Sequence, residues 1–389
     1  MDKKKKIGLV LAFKGTNYGA LLQAYATQHI IESLGFDTEI IDFRGKKNQL
    51  SNFFKRGYFQ FRIISWLNKR KNRIPSLMTN NDFAKNRKGR REIAEDFRSR
   101  TLHNIMLIRD YKYLKNLSLD YQGVIIGSDQ KWLPGACYDA ISSLDFVSQG
   151  TMRISYATSL GVSEYPKYCW HSSKKMWEKM DHLSVREKKG ADIIHQICGN
   201  INVSVVLDPT YLLTTSAWKE LIPEKCMNEK KYLFCYFLGS EVDNKQCARR
   251  YADAHNLQLV SLFSNESLGE IDQSYADKLI SDATPEDFVN WIRGAECIFT
   301  DSFHGLAFSV INQKQFYVFY RKRIDVVQSR NSRIDNILST WKLEDRLILN
   351  QNIDWEKHPH QDIDYKEVER ILDAKREESL SFLKEALAF

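Results

Sequence analysis

A chain of 389 residues with 43% apolar side chains exceeds what one ordinary core supports and suits two domains of about 150 to 200 residues. Its seven cysteines, Cys137, Cys169, Cys198, Cys226, Cys235, Cys247 and Cys297, include no C-x-x-C pair, which speaks against a disulfide framework or a zinc ribbon and fits a reducing cytoplasm. The formal charge is +8, yet residues 44–100 hold 17 Lys and Arg against 4 Asp and Glu; one segment carries the basic excess, and no nucleic-acid-binding motif accompanies it.

The opening "MDKKKKIGLVLAFKG" has the charged front of a signal peptide, but its apolar run is short and lacks a small-residue cleavage site. It reads as a buried first strand behind a solvated lysine leader. No run of 18 apolar residues follows anywhere, so no membrane span is expected. Next come a loop "KGTNYG", a helix "ALLQAYATQHIIESLG" and a strand "FDTEIIDF". Gly35 is placed to cap the helix in the left-handed region. This βαβ unit demands a parallel sheet.

After the basic stretch, three short apolar runs in "YQGVIIGSDQKW", "RISYATSLG" and "VSVVLDPTYLL" each stop at a polar or glycine turn, as buried parallel strands do. Between the last two lies "MDHLSVREKKGADIIHQI". Beyond the polar linker "PEKCMNEKK", strands and helices alternate again through "KYLFCYFLG", "NKQCARRYADAHN", "LQLVSLF", "TPEDFVNWIRGAE", "CIFTDSF", "LAFSVINQ" and "QFYVFY". Thr284 followed by Pro285, Glu286 and Asp287 is a strong helix start. The expectation is an α/β protein of two Rossmann-like domains facing each other across a cleft. Residues 1–225 form the first, with a basic aromatic insert at about 44–115; residues 226–389 form the second, closing on a C-terminal helix.

Ligands in open α/β sheets bind at the carboxyl ends of the strands. His304 falls there, between a strand and a helix whose N-terminus favours anions, with Gly305 directly behind it. Beside a bound anion such a histidine would keep its proton and act as a general acid; capping or packing at the turn is the alternative. In "KGTNYGALLQ", Gly15 and Gly19 permit close backbone approach and Asn17 and Tyr18 offer hydrogen bonds, but the spacing is neither a dinucleotide fingerprint nor a P-loop. Ser128, Asp129, Gln130, Trp132 and Arg186 gather at the same expected edge, where Asp129 could equally cap a helix and Arg186 pair with a surface acid. Asp208-Pro209 reads as an architectural turn. Metal ligation is not expected, since no second histidine or cysteine stands at ligand spacing to His304.

In order, "LAFKGTNYGALLQAYA", "VIIGSDQKW", "ISYATSLG", "SVREKKG", "VLDPTYLL", "TDSFHGLAFS" and "NSRIDNILSTWKLEDRLI" resemble the polysaccharide pyruvyltransferase family from about residue 7 to 350. The resemblance implies a GT-B-like fold and transfer of a pyruvyl group from phosphoenolpyruvate, the donor substrate, to a sugar as a ketal on a bacterial capsule or exopolysaccharide precursor, without a cofactor. It places the catalytic acid on His304, with Asp301 beside it. Donor contacts fall on Arg186, Ser302, Phe303, Gly305 and Arg333, and acceptor contacts on Asn17, Tyr18, Gly19, Ser128, Asp129, Gln130 and Trp132. One version of the family pattern has an arginine two residues before the histidine; Ser302 stands there, so Arg293, Arg321, Lys322, Arg323 or Arg333 must supply the cation. A nucleotide-sugar glycosyltransferase on the same fold is the second reading, and a non-catalytic partner in glycan assembly the third.

The insert "FFKRGYFQFRIISWLNKRKNR" mixes aromatics and cations in the manner of an interfacial segment. Phe53, Phe54, Phe59, Phe61, Ile64 and Trp66 would enter the headgroup layer at the inner face of the plasma membrane, as suits a lipid-linked sugar acceptor. A helical flap packed on the first domain is the alternative. Nucleic acid is not an expected partner.

Overall fold

The computed structural model describes residues 6–45, 55–71, 81–263, 275–321, 331–358 and 361–388. The first unit runs β1 (Lys6–Val10), α1 (Tyr18–Ser33), β2 (Asp37–Phe43), α2 (Tyr58–Lys71), α3 (Asn81–Thr101), β3 (Ile105–Ile108), α4 (Tyr111–Leu117), β4 (Gly123–Gly127), β5 (Met152–Thr158), α5 (Lys167–Trp177), β6 (His182–Val185), α6 (Lys188–Cys198), β7 (Ser204–Val205) and α7 (Thr215–Leu221). The second runs β8 (Tyr232–Tyr236), α8 (Val242–Ala254), β9 (Gln258–Leu262), β10 (Lys278–Ile280), α9 (Pro285–Gly294), β11 (Cys297–Thr300), α10 (Phe303–Ile311), β12 (Gln315–Phe319), α11 (Ser332–Trp341), β13 (Leu347–Ile348) and α12 (Tyr365–Ala386).

Each unit is built on one sheet, ordered β3-β2-β1-β4-β5-β6-β7 in the first and β10-β9-β8-β11-β12-β13 in the second. All recorded pairings are parallel; Leu9, for example, faces Ile40 on one side and Ile125 on the other. The central strands β4 and β8 are buried along their whole length, because helices cover both faces of a parallel sheet. Strand order reverses between β1 and β4 in one sheet and between β8 and β11 in the other. These are the two points where the carboxyl ends open a crevice.

The two units share a continuous apolar core. Tyr18 of α1 stacks on Phe288 of α9 at 5.5 Å, and Trp218 bridges Tyr25 and Phe308. α12 spans both units: near its start Gln313 donates to Glu369, while further along Ser379 Oγ accepts from Leu207 N at 2.9 Å and Phe382 meets Tyr156.

The basic segment has internal work. Arg90 of α3 donates to Phe263 O at 2.8 Å, Arg98 to Phe13 O and Gly15 O, and Arg100 pairs with Glu286 at 2.9 Å. α3 is thus a strap between the units, and the edge strand β3 behind it extends the first sheet into the insert. Phe53 and Phe54 lie outside the described residues, as do Lys322 and Arg323.

Candidate functional site

Four strand ends converge on His304. β11 ends at Thr300, and Ser302 caps α10 by accepting from Gly305 N at 3.3 Å, as short hydroxyl side chains do at helix starts. His304, expected in the loop between strand and helix, is instead the second residue of α10 and only 5% exposed. The helix starts three residues earlier than the apolar run suggests because Ser302 caps one of the free N–H groups of its first turn, that of Gly305. Two glycines make this possible. A Cβ at Gly305 would lie 2.4 Å from Thr300 Oγ1, and a Cβ at Gly19 would lie 2.1 Å from His304 Cγ and Nδ1. α1 of the first unit therefore passes directly over the imidazole of the second.

Below the ring lies a buried charge cluster supplied by the first unit. Asp208 Oδ2 accepts from Ser128 Oγ at 2.5 Å and from Arg186 Nη1 at 2.6 Å, and sits 3.9 Å from His304 Nε2. Its other oxygen accepts from Thr210 N and Oγ1 at 3.0 and 2.8 Å. Arg186 also approaches Glu187 at 3.6 Å and Asp129 at 4.0 Å, and its guanidinium lies 3.7 Å from the centre of the Phe303 ring. Among the described residues His304 Nε2 and Arg186 Nε and Nη2 are buried without a hydrogen-bond partner. Buried donors of this kind are costly unless something meets them.

The cluster sets the charges. Burial opposes ionisation of Asp208, but Arg186 and His304, with the hydrogen bonds of Ser128 and Arg186, hold its carboxyl down to about 2. Asp129 is also lowered, with His304, Arg186 and Arg333 outweighing burial. Burial pushes the His304 imidazole below its ordinary value; Asp208 and Asp129 resist this, while Arg186 and Arg333 add to it. Arg186 is pushed down by burial but ends above its usual value through Asp208, Glu187 and Asp129. Arg333 is buried near the same ring, 6.0 Å from the Phe303 centroid, and burial with the neighbouring Arg186 and Arg321 brings it to about 9.

Other expected site residues go elsewhere. Asp301 does not face His304: its oxygens accept from Leu238 N and Gly239 N, both at 2.7 Å, so it pins the turn after β8. Tyr18, expected as an acceptor contact, is buried against Phe288 and donates to Ala283 O at 2.9 Å, so it ties the units together. Trp132 is fully buried, donates to Ser142 O and packs on Trp177; it too is core. Gln130 lies against Gly161. Asn17 caps α1 through Ala20 N at 3.1 Å.

Asn17 and Asp129 both line a cavity of about 400 Å³ at the carboxyl ends of β1 and β2, together with Lys14, Lys131, Asp139 and Ile141. Asp129 takes a φ of +55° there, a conformation that aspartate tolerates better than most residues. A second cavity, about 640 Å³, lies between α6 and α11, bordered by Lys188, Lys189, Tyr320 and Asn336. Asn336 crosses between the units, accepting from Lys188 N at 2.8 Å.

A model of the polysaccharide pyruvyl transferase family matches residues 17–323, a span that includes every member of the charge cluster except Arg333. The chain belongs to this family. A search of curated proteins finds no match. Among solved structures, a UDP-N-acetylglucosamine 2-epimerase is similar at TM-score 0.55 and 12% identity, over 100% of this chain and 96% of that one. An alpha-glucosyltransferase in complex with UDP-glucose and DNA containing an abasic site gives 0.49 at 8% identity, covering 98% and 94%. UDP-GlcNAc 2-epimerase from Neisseria meningitidis bound to UDP-GlcNAc gives 0.46 at 10%, covering 97% and 99%. The first likeness bears on fold alone, and the two-unit arrangement is of GT-B type.

Within this member of the family, the replacement for the arginine missing at Ser302 can be sought among the described cations. Arg293 is committed to Ile222 O, Asn290 and Asn312. Arg321 is committed to Asp301. Arg333, itself engaged with a neighbour, is the one of the three that shares the Phe303 ring with Arg186. Asp208 was missed by reasoning from sequence, where Asp-Pro reads as a turn. The turn is there, as a short helix at Pro209–Tyr211, but only one carboxylate oxygen holds it; the other serves the cluster.

Proposed function

We propose that this protein transfers the pyruvyl group of phosphoenolpyruvate to a sugar hydroxyl, closing a cyclic ketal on a cell-surface glycan precursor. The observation that carries the reading is the pair of buried, unpartnered donors, His304 Nε2 and the Arg186 guanidinium edge, at the α10 N-terminus in a family member. A small dianion satisfies such donors, and helix N-termini favour anions.

In this reading Arg186 and Arg333 hold the donor's phosphate and carboxylate, with Phe303 as the floor between them. His304 gives a proton to the vinyl C3, which becomes a methyl group, and C2 becomes oxocarbenium-like. A sugar hydroxyl adds to C2 and loses its proton to a base, a role this reading gives to Asp129, which its cationic neighbours keep ionised. The C2–O bond to phosphate then breaks, and a second hydroxyl closes the ring as its proton leaves with the phosphate. Asp208 is the positioning residue: it orients Arg186 and, at 3.9 Å, favours the imidazolium that must form. The donor's own charge would raise the His304 pKa that burial lowers, so binding primes the acid.

The test is incubation of the purified protein with phosphoenolpyruvate and a panel of nitrophenyl and lipid-linked glycosides, following phosphate release and product mass. A gain of a pyruvyl ketal supports the reading. Phosphoenolpyruvate without effect, with turnover of a nucleotide sugar instead, would replace it by glycosyl transfer.

A further inference from the structure

Four of the large apolar side chains exposed among the described residues lie on α2: Phe59 (73% exposed), Ile63 (44%), Trp66 (53%) and Leu67 (47%). Their spacing puts them on one stripe of helical surface. The other face fixes the helix to the body. Tyr58 and Phe61 lie 5.4 and 5.2 Å from Tyr138, and the Phe61 ring occupies the space above Gly135. Tyr138 Oη and Ser172 Oγ both donate to Arg56 O, at 3.0 and 3.1 Å. Phe61, expected to face lipid, therefore packs inward, and Ile64 is half-buried. The outward stripe is Phe59, Ile63, Trp66 and Leu67.

Among the described residues the charge around the stripe is mainly positive. α2 contains no acidic residue, and Arg56 and Arg62 beside the stripe are exposed. The adjoining α5 exposes Lys167, His171, Lys174 and Lys175; the exposed carboxylates next to it are Glu164, before its start, and Glu178, at its end and 3.6 Å from Lys174. Aromatic and aliphatic side chains bordered by cations match the boundary of an anionic bilayer, where rings enter the headgroup layer and cations meet lipid phosphate. The loop that holds α2 at Gly135 and Tyr138 also lines the 400 Å³ cavity at Lys131, Asp139 and Ile141.

We propose that α2 docks the protein on an anionic lipid surface, with the stripe Phe59, Ile63, Trp66 and Leu67 laid into the headgroup region. The cavity beside it then lies within reach of sugars anchored in the same surface, a consequence that rests on the pyruvyl-transfer reading; the docking itself does not.

The full chain would be sedimented with vesicles of equal parts phosphatidylglycerol and phosphatidylcholine, and with phosphatidylcholine alone. The expected result is binding to the anionic vesicles that weakens as salt shortens the screening length from about 10 Å at 0.1 M to about 3 Å at 1 M. The triple variant Phe59→Ser, Ile63→Ser, Leu67→Ser should lose at least about tenfold in partitioning. Arg56→Glu with Arg62→Glu should abolish the preference for anionic lipid. Melting curves should be unchanged, because all five side chains are exposed. Three outcomes overturn the proposal: no binding by the unaltered protein, equal binding by the triple variant, or a dimer seen by light scattering that the triple variant loses while vesicles are ignored, which would give the stripe to a second copy of the chain. Turnover on a soluble acceptor is read separately, so loss of the chemistry and loss of docking remain distinct.

Discussion

His304, Asp208 and Arg186 form a unit in which each group's charge depends on the others. Removing the imidazole by His304→Ala should cut turnover by roughly 10²- to 10⁴-fold, the usual worth of a positioned acid, while the donor's dissociation constant, read by calorimetry, changes far less. Because burial holds the free imidazole low, the alkaline limb of kcat/KM should fall below the ordinary histidine range of about 6.5. The limb of kcat should lie higher, since bound donor anion favours the imidazolium. Coincident limbs would mean that the donor does not sit against His304. Asp208 has its own signature in stability. Its folded pKa, about 2, is below the unfolded value, so its contribution is present above about pH 4 and is lost as pH falls through the folded pKa. The size is roughly 2 kcal/mol. Asp208→Asn should flatten acid unfolding in that window by about this amount and, unlike an inert turn residue, also shift the kcat limb downward. Arg186→Lys keeps the charge but forfeits the planar contact with Phe303 and the fork toward an anion; donor affinity should drop at least about tenfold.

At the scale of elements, the site depends on where two helices begin. α10 starts at its cap, Ser302, and α1 starts at its cap, Asn17; the first turns then face each other with Gly19 and His304 in contact. Nothing larger than glycine fits at position 19 while the ring stays in place. Gly19→Ala should therefore displace the imidazole, lower turnover about as far as His304→Ala does, and cost about 1–3 kcal/mol in overpacking, which urea unfolding would measure. Ser302→Ala leaves the ring untouched and removes only the cap, so stability should fall by about 1 kcal/mol with a smaller change in rate. If Ser302→Ala also abolished donor binding, the hydroxyl would be a ligand and not merely a cap.

For the whole molecule, the two units are held by a shared apolar core and by polar bonds that cross it, three of which differ instructively in burial. Tyr18 donates to Ala283 O, Arg90 reaches Phe263 O, and Arg100 pairs with Glu286. The first is buried, so Tyr18→Phe strands the Ala283 carbonyl and should destabilise by about 1–3 kcal/mol. The third is half-exposed and contributes little, about 0–1 kcal/mol. Chelators should leave turnover unchanged in a phosphate-release assay, since arginines and helix N–H groups meet the donor's charge; loss restored by one divalent ion would contradict this.

The sequence by itself determined what depends on neighbours in the chain. Apolar runs ending at turns mark the parallel strands, Gly35 marks the end of α1 with φ +93°, and Thr284 starts α9 through a capping box. The ordered motifs placed His304, Arg186, Ser128 and Asp129 at strand ends, and they do meet. What depends on contacts distant in sequence was not legible. The short edge strands β3, β10 and β13 exist because a neighbouring strand offers hydrogen bonds, not because their residues alternate. Tyr18, Trp132 and Asp301 look like ligands because each is polar and near a loop, yet each finds its partner inside the fold, 265, 10 and 63 residues away. Asp208 looks like a turn because one of its oxygens makes one. The other oxygen meets Ser128 and Arg186, 80 and 22 residues away, and only the tertiary structure, by closing one unit over the other, sets that carboxylate beneath His304.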